Sequence, residues 1–136
     1  MKVILCLDDN NGMMFHQRRQ SRDRVVIEDI RRISEGNRLF MTEYSFKLFQ
    51  DEKDKILVEK NCLGIAGEDD YCFIENQPLK LFENRISQLI LYRWNRKYPA
   101  DVYLDLTLEE WSLESREEMK GFSHEKITKE IYSKMK

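Results

Sequence analysis

Asp23 is the residue of this chain whose surroundings most suggest chemistry. It follows Ser21, which can cap a helix beginning at Arg22, and precedes Val26 and Ile27 by three and four residues. On a helix this spacing turns the carboxylate toward the apolar edge beside Ile27. A helix N-terminus steadies such an anion, so Asp23 is the candidate catalytic residue, able to pair with a cationic ring edge or relay a proton. Acidic residues also occupy first turns for structural reasons alone, and the spacing leaves both readings open. Arg18, Arg19, Arg22, Arg24, Arg31 and Arg32 crowd the same stretch. Their planar forks suit phosphate or carboxylate, which makes Arg19 and Arg22 candidate ligand-binding residues; a solvated helix face plus a loop is the plainer account.

Other chemistries lack their residues. His16 and His124 are the two histidines and lie far apart in sequence, which removes the raw material of a hydrolase built on several His and Asp metal ligands. Cys6, Cys62 and Cys72 form no C-x-x-C pair, so neither a zinc knuckle nor a disulfide framework is expected. Neither G-x-G-x-x-G nor G-x-x-x-x-G-K-[ST] occurs. Glu68-Asp69-Asp70 could hold a cation but reads more simply as a solvated acidic loop.

The elements that must position Asp23 follow from periodicity. Lys2 to Leu7 is a continuous apolar run, expected as a central strand covered on both faces. Asp8 to Gly12 carries turn chemistry, and Met13 to Phe15 is expected as an apolar loop segment folding back on the core. Val26, Ile27, Ile30 and Ile33 recur at helical spacing before Gly36-Asn37 ends the run. Further strands are expected at Arg38 to Met41, Ile56 to Val58 (buried), Tyr71 to Ile74, Gln88 to Trp94 and Val102 to Leu106, with short helices at Ser45 to Phe49 and from Pro78 to about Asn84. Cys62 to Asp70 reads as a surface connection without room for a helix, and Trp111 to Met119 as strand or helix. Phe122, Ser123 and Ile127 fit a hydrophobic staple opening a final helix to about Met135.

With 136 residues, 41% hydrophobic, 35% charged and a net charge of −2, the chain is expected to be one domain, 1–136, and not a dedicated nucleic-acid binder. No apolar run approaches a membrane span, and Met1-Lys2 leads into a strand-like stretch instead of a secretory signal, so a cytoplasmic location is expected.

In this order the motifs resemble dihydrofolate reductase over about residues 1 to 112. K-V-I-L-C-L-D-D-N-N-G-M looks like that family's first strand and mobile substrate loop, and S-R-D-R-V-V-I like the helix start bearing its active-site acid, which would be Asp23. R-L-F-M-T-E-Y-S-F-K-L-F and K-I-L-V-E are placed like the strands and helix near the cofactor phosphate, Y-C-F-I-E-N-Q-P-L-K-L-F like the pyrophosphate site, and Q-L-I-L-Y-R-W-N-R-K-Y-P-A-D-V-Y-L-D like the next strand and its D-T-x-F-P-like segment. The signatures D-D-x-N-G-M and Y-R-W-N-R-x-Y-P-A-D are also similar to those of small bacterial proteins that carry a ribonuclease Z label, a label at odds with a chain holding two histidines. The resemblance implies an α/β, three-layer domain with a mostly parallel sheet and a trimmed cofactor subdomain.

It also implies that NADPH binding is lost and that no cofactor is held. The glycine pair is replaced by Glu75-Asn76, and the G-[RK]-x-[ST] phosphate clamp reads Thr42-Glu43-Tyr44-Ser45, each placing an acid where phosphate would sit. Tyr92 stands where a small hydroxyl residue contacts the acid and the pterin ring, and its ring is expected to fill the pocket; beyond Met119 the final strand is expected to be replaced by a helix. The favoured expectation is a non-redox ligand-binding or regulatory module with an unidentified small molecule or protein partner near Asp23, Met13, Phe15, Ile27 and Tyr92. An enzyme using Asp23 with the nearby arginines on an anionic or nucleotide-like substrate is the alternative. RNA contact through the arginines with Tyr92 and Trp94 is a third.

Overall fold

The computed structural model describes residues 1–49 and 56–135. In chain order the elements are β1 (Lys2–Leu7), β2 (Gly12–Phe15), β3 (Arg18–Arg19), α1 (Arg24–Ile33), β4 (Leu39–Met41), α2 (Glu43–Phe46), β5 (Ile56–Val58), α3 (Cys62–Ile65), β6 (Tyr71–Phe73), β7 (Gln88–Arg93), β8 (Val102–Tyr103), β9 (Trp111–Met119) and β10 (Ile127–Lys134). Short 3-10 segments follow α2 at Lys47–Phe49, precede β7 at Lys80–Arg85 and precede β9 at Leu108–Glu110. Among the described residues, no helix is long and apolar enough to cross a membrane.

The main sheet runs β5-β4-β6-β1-β7-β10-β9, and β3-β2-β8 forms a small second sheet. Pairings from β5 to β7 are parallel, with Ile4 opposite both Phe73 and Ile90. The last two pairings, β7 with β10 and β10 with β9, are antiparallel. β1 thus lies between two parallel neighbours, which is why its run is apolar without alternation. Its side chains divide between two cores. Val3, Leu5 and Leu7 join Met13, Met14, Cys62, Leu63, Leu89, Leu91 and Trp111 on one face. Ile4, with Val26, Ile30, Phe49, Phe73, Ile90 and Trp94, makes the other core under α1 and α2. The result is a three-layer α/β domain.

Several local expectations change. Met13 to Phe15 is not a loop but strand β2, paired with β3 and β8, and Met13 and Met14 are buried as expected of a segment folded onto the core. Cys62–Ile65 is a helical turn where none was expected, burying Cys62 and Leu63. β5 is the edge strand, so Leu57 and Val58 are exposed instead of buried. Only Val102–Tyr103 of the Val102 to Leu106 run pairs as a strand. Trp111–Met119 resolves to strand.

The largest correction is the C-terminal segment, which is strand β10 and not a stapled helix. Ile127 and Ile131 are four apart, a spacing that suits one helix face and also suits one strand face when Lys129 lies between them. Ile127, Lys129 and Ile131 indeed turn toward α1, while Tyr132 packs in the opposite core. The strand also buries two charges, Lys129 and Glu130, and both are compensated. Glu130 is bridged by Arg93 and Arg116; burial resists its ionisation, but the two arginines hold its carboxyl below the usual range.

Lys129 lies opposite Tyr92 in the β7–β10 register, and both reach up to Asp29 on α1: Lys129 Nζ lies 2.8 Å from Asp29 Oδ2, and the Tyr92 hydroxyl donates to the same oxygen at 2.6 Å. Arg32 pairs with the other oxygen. Burial opposes ionisation of Asp29, but Lys129, Tyr92 and Arg32 keep its pKa below the ordinary carboxylate value. Replacing Lys129 by Met leaves a nearly buried carboxylate without its ammonium and is expected to cost about 3 kcal/mol in chemical denaturation. Tyr92→Phe removes one donor to that anion and should cost about 1–2 kcal/mol.

Candidate functional site

Asp23 is not a first-turn residue of α1 but its cap. Its backbone is extended (φ −152°, ψ 133°), and its Oδ1 accepts the Val25 amide at 2.9 Å. Ser21 and Arg22 therefore precede the helix, and Ser21 is released from capping. The same Oδ1 accepts the Phe122 amide at 2.8 Å. Oδ2 accepts the amides of Ser123 (2.8 Å) and His124 (3.1 Å), the Ser123 hydroxyl (3.1 Å) and Nδ1 of His124 (2.9 Å). Two donors on one oxygen and four on the other exceed the roughly four lone-pair directions of a carboxylate. Burial resists the charge, yet the donors from Phe122, His124, Ser123 and Val25 outweigh it and hold the Asp23 carboxyl far below its ordinary pKa.

The turn before β10 can approach this closely because residue 121 is glycine. A Cβ there would lie 2.6 Å from the His124 carbonyl oxygen and 2.7 Å from Asp23 Oδ2. The His124 ring is fixed on three sides. Nδ1 faces Asp23, Nε2 lies 2.8 Å from Ser21 Oγ and 3.4 Å from the Tyr98 hydroxyl, and the ring stacks on Trp94 at 4.6 Å between centroids.

Beside Asp23 is a cavity of about 10 Å³, close to the least that holds one water, lined by Met13, Arg19, Arg22, Ile27, Trp94 and Glu75 among others. Arg19 donates to Glu75 through Nε at 2.8 Å and Nη2 at 2.9 Å, and the Ser45 hydroxyl adds a third bond to Glu75 at 2.7 Å. Arg19 also stacks over Tyr44. An open groove of about 590 Å³ adjoins this cavity, with Arg22, Arg24, Arg31 and Lys47 on its walls and Glu28 as its exposed acid. Arg24 lies 4.3 Å over the Phe122 ring.

Of the residues singled out from sequence, Asp23, Met13, Arg19, Arg22 and Ile27 converge on the cavity. Phe15 does not; it stacks on His16 and lines a separate depression of about 490 Å³ with Arg18, Gln20, Tyr98 and Pro99. Tyr92 does not fill the pocket either. It points under α1 to Asp29, and Trp94, two residues further along the same strand face, lines the cavity instead. With Tyr92 and Trp94 both buried, the aromatic partners supposed for RNA stacking are not presented to solvent. Asp70 of the acidic loop is claimed by Arg38, at 2.6 and 3.0 Å. From sequence Glu75 and Ser45 read only as departures from a phosphate site and His124 only as an isolated histidine; nothing local marks its meeting with Asp23 across 101 residues.

Sequence comparison finds neither a family model nor a curated protein that matches the chain. Comparison of structures does find likeness. The dihydrofolate reductase of Enterococcus faecalis, solved in complex with NADP(H) and RAB-propyl, superposes with a TM-score of 0.71 over 99% of this chain and 96% of that one, at 10% identity. The fold is dihydrofolate-reductase-like. At that identity the likeness concerns the path of the backbone, and the side chains of the cleft have to be read on their own.

The depressed pKa of Asp23 gives stability a sign with pH. A carboxyl ionising more readily in the folded state stabilises above its unfolded value of about 3.9, and that contribution is lost as pH falls toward the folded value. Asp23→Asn is expected to destabilise the protein by about 2–4 kcal/mol at pH 7, since charged hydrogen bonds are lost. The gap to wild type should narrow below about pH 4 when unfolding is measured across a pH series.

Proposed function

We propose that this chain is a non-redox binding module that takes an anionic ligand on the basic groove at the mouth of a closed cleft. The observation that carries this reading is the Arg19–Glu75–Ser45 cluster. The likeness to a reductase raises NADPH as a ligand, and the residues that the sequence resemblance puts at the pyrophosphate site do not suit it. A phosphate approaching residues 75 and 76 would meet the Glu75 carboxylate, and the cation that could offset that charge is already engaged by it. On the substrate side the cavity beside Asp23 has room for about one water, not a bicyclic ring. The groove is different in kind: it is open, and Arg22, Arg24 and Lys47 give it the charge and forked donors that suit phosphate or carboxylate.

Two measurements bear on this. Purified protein mixed with NADPH and dihydrofolate should oxidise no more NADPH than the Asp23→Asn variant does; clear turnover above that background would refute a non-redox role. Inorganic pyrophosphate should raise the melting temperature in low salt, and Arg22→Ala combined with Lys47→Ala should abolish most of the rise. A melting temperature indifferent to pyrophosphate would remove the groove from the proposal.

A further inference from the structure

We propose that Ser21, His124 and Asp23 form an acyl-transfer triad, with Ser21 as nucleophile toward carboxylic esters that bear an anionic group. The inference goes beyond the binding role above: the triad itself does not depend on it, whereas the preference for an anionic ester rests on the same basic groove.

The geometry has the three links that such chemistry needs. Ser21 Oγ lies 2.8 Å from Nε2 of His124, and Nδ1 of His124 lies 2.9 Å from Asp23 Oδ2. With the carboxylate on Nδ1, the imidazole proton is placed there, and Nε2 is left to accept from the serine hydroxyl. That is the tautomer in which histidine serves as a base. The Asp23 and His124 side chains are 0% and 5% exposed, so their pairing is shielded from water. Bonds from the amides of Ser123 and His124 lock the carboxylate, and Trp94 supports the ring face. Only Ser21 of the three is partly exposed, which is the order of burial a nucleophile and its base require.

Ser21 is flanked in the chain by Gln20, which lines the depression shared with Tyr98, and by Arg22, which lines the basic groove. Ser21 itself lines the small cavity beside Asp23, so the ester carbonyl alone must enter there while the substrate's bulk stays outside and its anionic group meets Arg22, Arg24 and Lys47. In the first step Ser21 Oγ bonds to the carbonyl carbon as its proton passes to Nε2. The tetrahedral oxyanion then collapses, the bond to the alkoxy group breaks, and the leaving alcohol takes the proton from Nε2. Water repeats the sequence on the acyl-serine, releasing the acid and restoring Ser21. Asp23 touches no reacting atom and acts as a positioning residue that also stabilises the transient imidazolium.

A phosphonyl fluoride tests the nucleophile directly, because Ser21 Oγ displaces fluoride and the adduct is located by peptide mass mapping. The expected result is one adduct, on Ser21, absent in Ser21→Ala and formed about 1,000-fold more slowly in His124→Gln. Ser123, whose Oγ lies 3.2 Å from Nδ1 of the same imidazole, is the internal control. An unlabelled wild-type protein, a labelled Ser123, or an undiminished rate in His124→Gln would overturn the triad. Asp23→Asn should lower the maximal labelling rate while leaving the reagent concentration for half-maximal rate unchanged, and an unaltered maximal rate would reduce Asp23 to an anchor and sink the proposal. Among chromogenic esters, 4-nitrophenyl hemisuccinate should be cleaved faster than 4-nitrophenyl acetate, and equal rates would overturn the anionic preference. NADPH oxidation is read separately, so the failure of either proposal is distinguishable from failure of the other.

Discussion

One carboxylate ties the two ends of this chain together. Asp23 satisfies one of the free amides of α1 through Val25 and, with its remaining lone pairs, organises the turn at residues 122–124 some hundred positions later. Neither partner would be ordered as well without the other. A helix start left uncapped exposes donors that need water, and a turn with three consecutive inward amides needs an anion to receive them. The link closes the cleft, since it sets His124 on Trp94 and beside Ser21. It also demands glycine at 121, where any side chain would strike the carboxylate itself.

Charge compensation is repeated at three other places, on both faces of the sheet, and this is how a chain so rich in ionised residues can bury some of its charges. Asp29 receives Lys129, Tyr92 and Arg32; Glu75 receives Arg19 and Ser45; Glu130 receives Arg93 and Arg116. Pairs of this kind contribute little net stability compared with apolar residues of equal size, but losing one partner is costly. Their effect is to select one register. Sliding β10 by one residue would aim Lys129 away from α1 and Glu130 into the core beneath it, so the antiparallel addition of the last strand is specified by charge as much as by Ile127 and Ile131.

The parallel half of the sheet was legible in the residues because burial on both faces leaves unbroken apolar runs, as in Lys2 to Leu7 and Gln88 to Trp94. The convergence of Met13, Arg19, Arg22 and Ile27 on Asp23 was legible too. The final strand was not, because its inward face carries Lys129 between two isoleucines and mimics a helical repeat. By residue type Ser21 is as good a cap as Asp23, which makes Asp23 read as a first-turn residue; only the distant amides at 122–124 decide between them. Tyr92 is hard to place from sequence for a similar reason. Its partner Asp29 lies on another element, and no local spacing announces a bond between a strand tyrosine and a helix aspartate.

The same donors constrain the chemistry of Asp23. A general acid works best with a pKa near the operating pH, and a carboxyl held far below its ordinary value stays ionised at neutral pH and has no proton to give. A proton delivered to it would break several bonds at once and loosen both α1 and the β10 turn. A permanent anion suits a different task, which is to orient an imidazole and offset its charge when it gains a proton. A fold shared with a reductase does not by itself fix how the acid is used: the surrounding amides constrain the carboxylate, and those amides belong to this chain's own sequence.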